Sequence, residues 1–141
     1  MGTSDGLRTG FVRGANFGRA YALRQAGENA QAAVLLESLV KAYPDEFTFH
    51  NEYAYALKED GQFEKAYPSA VKAVETGYGD NWLRAVKLKA ELELKLGKIK
   101  EAAKTVDDAL AETVLPATTD VRSYRYVTAL RTLRAEIAKK L

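Results

Sequence analysis

Any chemistry would have to begin at His50, the single histidine in a chain without cysteine. Catalysis needs a nucleophile with its base, a pair of tuned carboxylates, or a metal cage. A lone imidazole cannot hold zinc without cysteine or further histidine. His50 stands in the apolar-striped stretch FTFHNEYAYAL, where a partly buried ring satisfied by hydrogen bonds is the expected role. The adjacent acids Glu59-Asp60 and Asp107-Asp108 supply no working pair, because neighbours on a helix point in diverging directions. No glycine-rich loop follows a strand, as a phosphate cradle would require. The expectation is therefore no catalytic residue, no metal and no cofactor, and a chain that is not an enzyme by itself.

Composition sets the outer bounds. At 141 residues the chain is one domain with room for a real core. An apolar content of 47% and a charged fraction of 28% are ordinary for a globular protein, which excludes wholesale disorder. The net charge of +2 is too small to make nucleic acid a principal partner. It is unevenly spread: residues 1–26 carry +3 and residues 119–141 carry +4, leaving −5 between them. No apolar run has the length of a membrane span, and no signal peptide is visible, so no membrane insertion is expected. The opening MGTSDG reads as a cloning remnant joined to a linker, which is compatible with removal of a native targeting segment or neighbouring domain. Localisation stays open, with a cytoplasmic compartment favoured and a periplasmic one compatible with removal of a targeting segment.

What must position any functional group is a repeat. Gly27, Gly61 and Gly97 mark turns 34 and then 36 residues apart. Seven residues before them stand Ala20, Ala54 and Ala90; five residues after stand Ala32, Ala66 and Ala102. Leu39, Ala73 and Ala109 follow in the same register, then Val40, Val74 and Leu110. Periods of this size signal stacked helical hairpins. Two helices that cross tightly need a small residue on each, with larger apolar neighbours filling the flanks.

On these residues the chain resembles the tetratricopeptide-repeat family from about Arg13 to Pro116. Tyr53, Ala54, Leu57, Gly61, Phe63, Ala66 and Ala73 match the family pattern in the middle copy, and Ala20, Leu23, Gly27, Ala32, Leu39 and Pro44 match it in the first. The resemblance implies an all-α superhelix of three hairpins, with repeats at about 13–46, 47–80 and 83–116, plus a seventh capping helix at about 119–140. There are departures. Asn29 stands where an aromatic is usual, and Tyr78 where proline is expected. Lys89 and Glu93 occupy apolar places, so the first helix of the third repeat is expected slightly out of register.

Local signals give the element bounds. Residues 1–10, with three glycines and no apolar period, are expected to lack regular structure. Helices are predicted at about 11–25, 29–42, 46–60, 62–76, 81–96 and 98–112, with Asp45 and Asp80 as caps of the third and fifth. The alternation of Phe47, Phe49, Tyr53 and Tyr55 competes as a strand pattern, but the repeat register overrides it. Pro68 inside the fourth helix predicts a bend. Thr118 or Thr119 is expected to cap the last helix, whose buried stripe would be Val121, Tyr124, Leu130, Leu133 and Ile137. Gly10, Gly14 and Gly18, four residues apart, read as room for a neighbour: a ligand, a lost domain or a second subunit.

The resemblance also implies where function would lie. In the family the first helix of each hairpin lines a concave groove. The matching positions here are Phe17, Tyr21 and Arg24, then Asn51, Glu52, Tyr55 and Lys58, then Arg84 and Lys87. Asn51 falls where the family often keeps an amide for an extended peptide backbone, and the aromatic rings suit interface anchors. The competing reading packs those rings against the N-terminal segment itself. One subset of the family grips the C-terminal carboxylate of chaperones with lysine, asparagine and arginine. Phe17, Tyr21, Glu52, Arg84 and Leu88 occupy those places, and only Arg84 keeps the character, so that ligand is not expected. The implied role is an interaction module holding a protein or peptide partner. An assembly or secretion chaperone, with homo-oligomer formation compatible, and the accessory tail of a multidomain enzyme remain as alternatives. An RNA-reading helical repeat would need a basic groove, which Glu52 and the acidic middle repeat oppose.

Overall fold

The computed structural model describes residues 2–114 and 122–141, with the side chains of residues 13–114 and 122–141. Among them are seven helices and no strand: α1 (Gly2–Gln25), α2 (Asn29–Ala42), α3 (Phe47–Glu59), α4 (Phe63–Thr76), α5 (Gly79–Lys95), α6 (Ile99–Glu112) and α7 (Arg122–Ala138). Consecutive helices pack on one another, and α7 lies against both α5 and α6.

The turn glycines do what their spacing requires. Gly61 has φ +80°, and Gly27 and Gly97 repeat it at +82° and +78°. This left-handed conformation suits a residue without Cβ. At each turn the same pair of bonds closes the helix; in the middle copy Gly61 N–H donates to Lys58 O at 3.0 Å and Gln62 N–H to Leu57 O at 2.8 Å. That is the six-to-one and five-to-two pairing of a Schellman end, which satisfies carbonyls the helix leaves open. The chain then enters the next helix with its partner helix already antiparallel.

The six alanines flanking those turns (Ala20, Ala32, Ala54, Ala66, Ala90 and Ala102) all have 0% of their surface exposed. Small residues at the crossings leave Leu36, Leu57, Leu92 and Val106 to fill the space between layers. The core forms two clusters. One joins α1–α4 and takes Leu88 and Leu92 from α5; the other joins α6 and α7 to Leu83, Val86 and Ala90 of the same α5. The central helix is thus apolar on two faces.

Several local expectations are corrected. α1 begins at Gly2, so the segment expected to lack regular structure continues the helix, since a nucleated helix gains a bond per added residue. Asp45 does not cap α3: Glu46 holds that place without a side-chain bond, and the Asp45 carboxylate lies 3.5 Å from Lys72 Nζ instead. Asp80 sits inside the first turn of α5, where it accepts a 2.6 Å bond from Ser123 Oγ of α7. Phe47–Glu59 is helix despite its alternating aromatics.

The third repeat keeps its register. Ala90 is fully buried where Ala20 and Ala54 are, and Glu93 takes the place of an apolar residue while remaining 2% exposed. Its carboxylate accepts from Tyr67 Oη at 2.6 Å and Thr105 Oγ1 at 2.7 Å, with Lys89 Nζ 3.6 Å away. A satisfied polar network has replaced apolar packing. In α7 the buried stripe is Val127, Leu130, Leu133 and Ile137; Tyr124 is partly buried, while Val121 and the expected caps Thr118 and Thr119 lie outside the described residues.

Candidate functional site

His50 is closed off from chemistry by its own bonds. Its Nε2 lies 2.6 Å from Pro44 O and its Nδ1 3.4 Å from Ser69 Oγ. The neutral ring carrying its proton on Nε2 satisfies both: it donates to the carbonyl and accepts from the hydroxyl. No group of three histidine, cysteine or acidic side chains stands close enough to hold a metal among the described residues. No helix there is long and apolar enough to cross a membrane.

One side of α1, α3, α5 and α7, helices that contact one another in that order, forms the face that the resemblance makes the concave one. Helical spacing puts Tyr21 and Arg24 on α1 opposite Glu52 and Tyr55 on α3. The Arg24 guanidinium sits 5.3 Å from the centre of the Tyr21 ring and 4.6 Å from that of Tyr55. Its Nε is 2.7 Å from Glu52 Oε2, yet the two atoms are poorly aligned and neither has a hydrogen-bond partner. They attract as charges without completing a directional bond. Tyr21 and Tyr55 remain 47% and 37% exposed, enough surface for a partner to cover. Phe17 is different. Its ring centre is 5.7 Å from that of Phe49 and 6.5 Å from that of Tyr21, so it joins the core's edge rather than standing free.

Asn51 has 6% of its surface exposed, and its Oδ1 accepts no hydrogen bond among the described residues. A buried carbonyl without a donor costs free energy, on the order of 1–3 kcal/mol, until something supplies one. Asn51 and Tyr55 line a cavity of about 290 Å³ together with Leu83, Arg84, Lys87 and Leu88 of α5. The remaining charges are mostly spent within the protein. Lys58 Nζ is 3.5 Å from Glu91 and 3.8 Å from Glu59, and Lys87 Nζ is 3.7 Å from Glu91. Arg84 is exposed and, among the described residues, reaches only Asn81 Oδ1, at 3.4 Å.

The structure therefore brings Asn51, Tyr55, Arg84 and Lys87 around one cavity, and Tyr21, Arg24 and Glu52 into a cluster beside it. Lys58 lies toward the other end of α3, beside Glu91. Sequence reasoning missed Arg125, Tyr126 and Ala129 of α7, which close the cavity's far wall. The signal was the odd helix count: a helix stacked after the last hairpin stands where another repeat's first helix would. It presents one stripe to the core and a second to the groove. An added Cβ at Gly14 or Gly18 would meet nothing within 4 Å among the described residues, so their packing does not require either glycine.

A larger cavity of about 410 Å³ opens between α5 and α6, beside Val74 of α4, and is lined by Lys89, Glu93 and Thr105. Those groups already satisfy one another, so the concave face is the stronger candidate.

The stacked hairpins and glycine turns are those of the tetratricopeptide-repeat fold, and solved structures share that fold. The chain is similar to the TPR2B domain of yeast Sti1 in its complex with pHsp70, at 17% identity and a TM-score of 0.76, covering 92% of this chain and 98% of that one. It is similar to PcrH in complex with the chaperone binding region of PopD, at 16% identity and a TM-score of 0.75, covering 97% and 94%. It is likewise similar to SycD, the type III secretion translocator chaperone of Yersinia enterocolitica, at 17% identity and a TM-score of 0.74, covering 89% and 83%. No protein-family model and no curated protein matches the chain. The fold is the tetratricopeptide-repeat superhelix, three hairpins closed by a seventh helix.

Proposed function

We propose that this chain is a binding module that holds an extended segment of another polypeptide along its concave face. One observation carries the reading. Asn51 Oδ1 lies buried on that face with no hydrogen-bond partner among the described residues, while its neighbours Arg24 and Glu52 are paired with each other at 2.7 Å. An extended peptide backbone offers an N–H to complete it, and Tyr21 and Tyr55 supply amphipathic surface to anchor its side chains. The likeness in fold to the Sti1 domain, which is in complex with pHsp70, and to PcrH, which is in complex with a region of PopD, supports the same use of this scaffold. The reading assigns the chain no catalysis, cofactor or metal. Partners are protein or peptide rather than nucleic acid, because Glu52 and Glu91 interrupt the groove's positive charge.

A second reading, an assembly or secretion chaperone, is favoured by the fold likeness to PcrH and SycD. It uses the same groove.

The test is to select binders from a random peptide library and titrate them against variants. Tyr21→Ala, Asn51→Ala and Tyr55→Ala should each weaken binding by about 1–3 kcal/mol, the range for losing an anchor or a buried bond. Lys72→Glu, on α4 away from the groove, should change nothing. Retention by all three groove variants would place the binding surface elsewhere.

A further inference from the structure

We infer that the cavity between α3, α5 and α7 selects, within the bound segment, an aliphatic side chain next to an acidic residue. This rests on the groove reading above and adds what the groove prefers. The cavity floor is apolar: Leu83 and Leu88 are 5% and 4% exposed, and Ala129 is partly buried. Tyr55 and Tyr126 form its side walls. At about 290 Å³ it falls just below the roughly 300–1,000 Å³ range of small-molecule sites, which suits one or two side chains better than a cofactor.

Charge decides the second half. Arg84 and Arg125 stand on the rim of this cavity, and among the described residues neither has a carboxylate within 4 Å. The one acid lining the cavity, Glu91, is already shared by Lys58 and Lys87. Two guanidiniums lining one opening, neither paired with the cavity's single acid, are complementary to a carboxylate, and the planar fork of each suits two-point contact. Asn51, whose unpartnered Oδ1 borders the same cavity, would take a backbone N–H and fix the segment's depth. Arg125 is a contribution of the capping helix, so α7 acts as part of the recognition surface as well as a lid on the core.

The experiment uses the full chain and a phage-displayed library of random dodecapeptides, with enriched peptides resynthesised and titrated by fluorescence anisotropy. Enriched sequences should carry Asp or Glu within two residues of an aliphatic side chain. Changing that acid to its amide should weaken binding about ten-fold or more, the scale of one charge-assisted bond. Arg84→Glu and Arg125→Glu, both at exposed positions, should each cause a similar loss for the acidic peptide and none for its amide form. Ala129→Leu, which fills the floor, should remove the aliphatic preference while the acid still matters. Peptides that bind with no acid preference, or acidic peptides indifferent to both arginine changes, overturn this inference while leaving the groove reading intact, provided Tyr21→Ala, Asn51→Ala or Tyr55→Ala still weakens them. If no peptide is enriched, or all three of those variants retain binding, the groove reading falls and this inference with it.

Discussion

The Tyr67 hydroxyl on α4 donates a 2.6 Å hydrogen bond to Glu93 on α5, tying the second hairpin to the third through a carboxylate almost wholly out of water. Burial, and then the bond to this carboxylate, push the Tyr67 phenol well above its ordinary pKa. Breaking a buried charged network by removing one member leaves the rest uncompensated, whereas replacing the ionic pair by apolar groups is often neutral or stabilising. Tyr67→Phe should therefore cost about 1–3 kcal/mol. Lys89→Leu alone should also destabilise, and the double change Lys89→Leu with Glu93→Leu should recover most of the loss. Urea unfolding of the four proteins measures it; a double variant worse than Lys89→Leu alone would show that the network is worth more than apolar packing.

Ala54 and Ala66 face each other across the middle hairpin with no exposed surface. Leucine at either place overpacks the crossing, at a typical cost of about 1–3 kcal/mol. Unchanged denaturant midpoints for both variants would contradict the assigned register.

Truncation after residue 118 removes α7 and uncovers Val86, Val106 and Ala109 of the C-terminal cluster. An apolar face opened in this way promotes self-association. Light scattering should show aggregation of the 1–118 fragment; a monomer as stable as the full chain would deny α7 its capping role.

Glu37 on α2 responds to pH. Bonds from Lys41, then Lys65 and the Tyr53 hydroxyl, hold its carboxyl at about 2 against an ordinary 4.5. The folded value is depressed, so the stabilisation is fully present above about 4.5 and is lost as pH falls toward about 2. Between those limits wild type should lose more stability on acidification than Glu37→Gln. Parallel pH profiles of the two would remove Glu37 from the acid response.

The hairpins were legible because packing at a crossing tolerates so few residues: Ala20, Ala54 and Ala90 recur at fixed distance from the turn glycines, and all are fully buried. The same register located Asn51 and Tyr55. The Glu93 network was not legible, since a glutamate's partners come from Tyr67 and Thr105 on two other helices and no spacing announces them. Arg125 and Tyr126 were overlooked for a related reason. The apolar stripe of α7 shows which side meets the core, but only its angle against α5 brings the adjacent side into the groove. The caps failed locally: Asp45 and Asp80 carry the right side chain, but Lys72 and Ser123 compete for them.

α5 belongs to both hydrophobic clusters, holding α1–α4 with Leu88 and Leu92 and α6–α7 with Leu83, Val86 and Ala90. In a stack whose layers touch only their neighbours, fraying proceeds inward from each end. The helix that both halves lean on is the last to let go. Its amide protons should exchange with solvent more slowly than those of α1 or α7, because freeing them requires both ends of the molecule to have come apart.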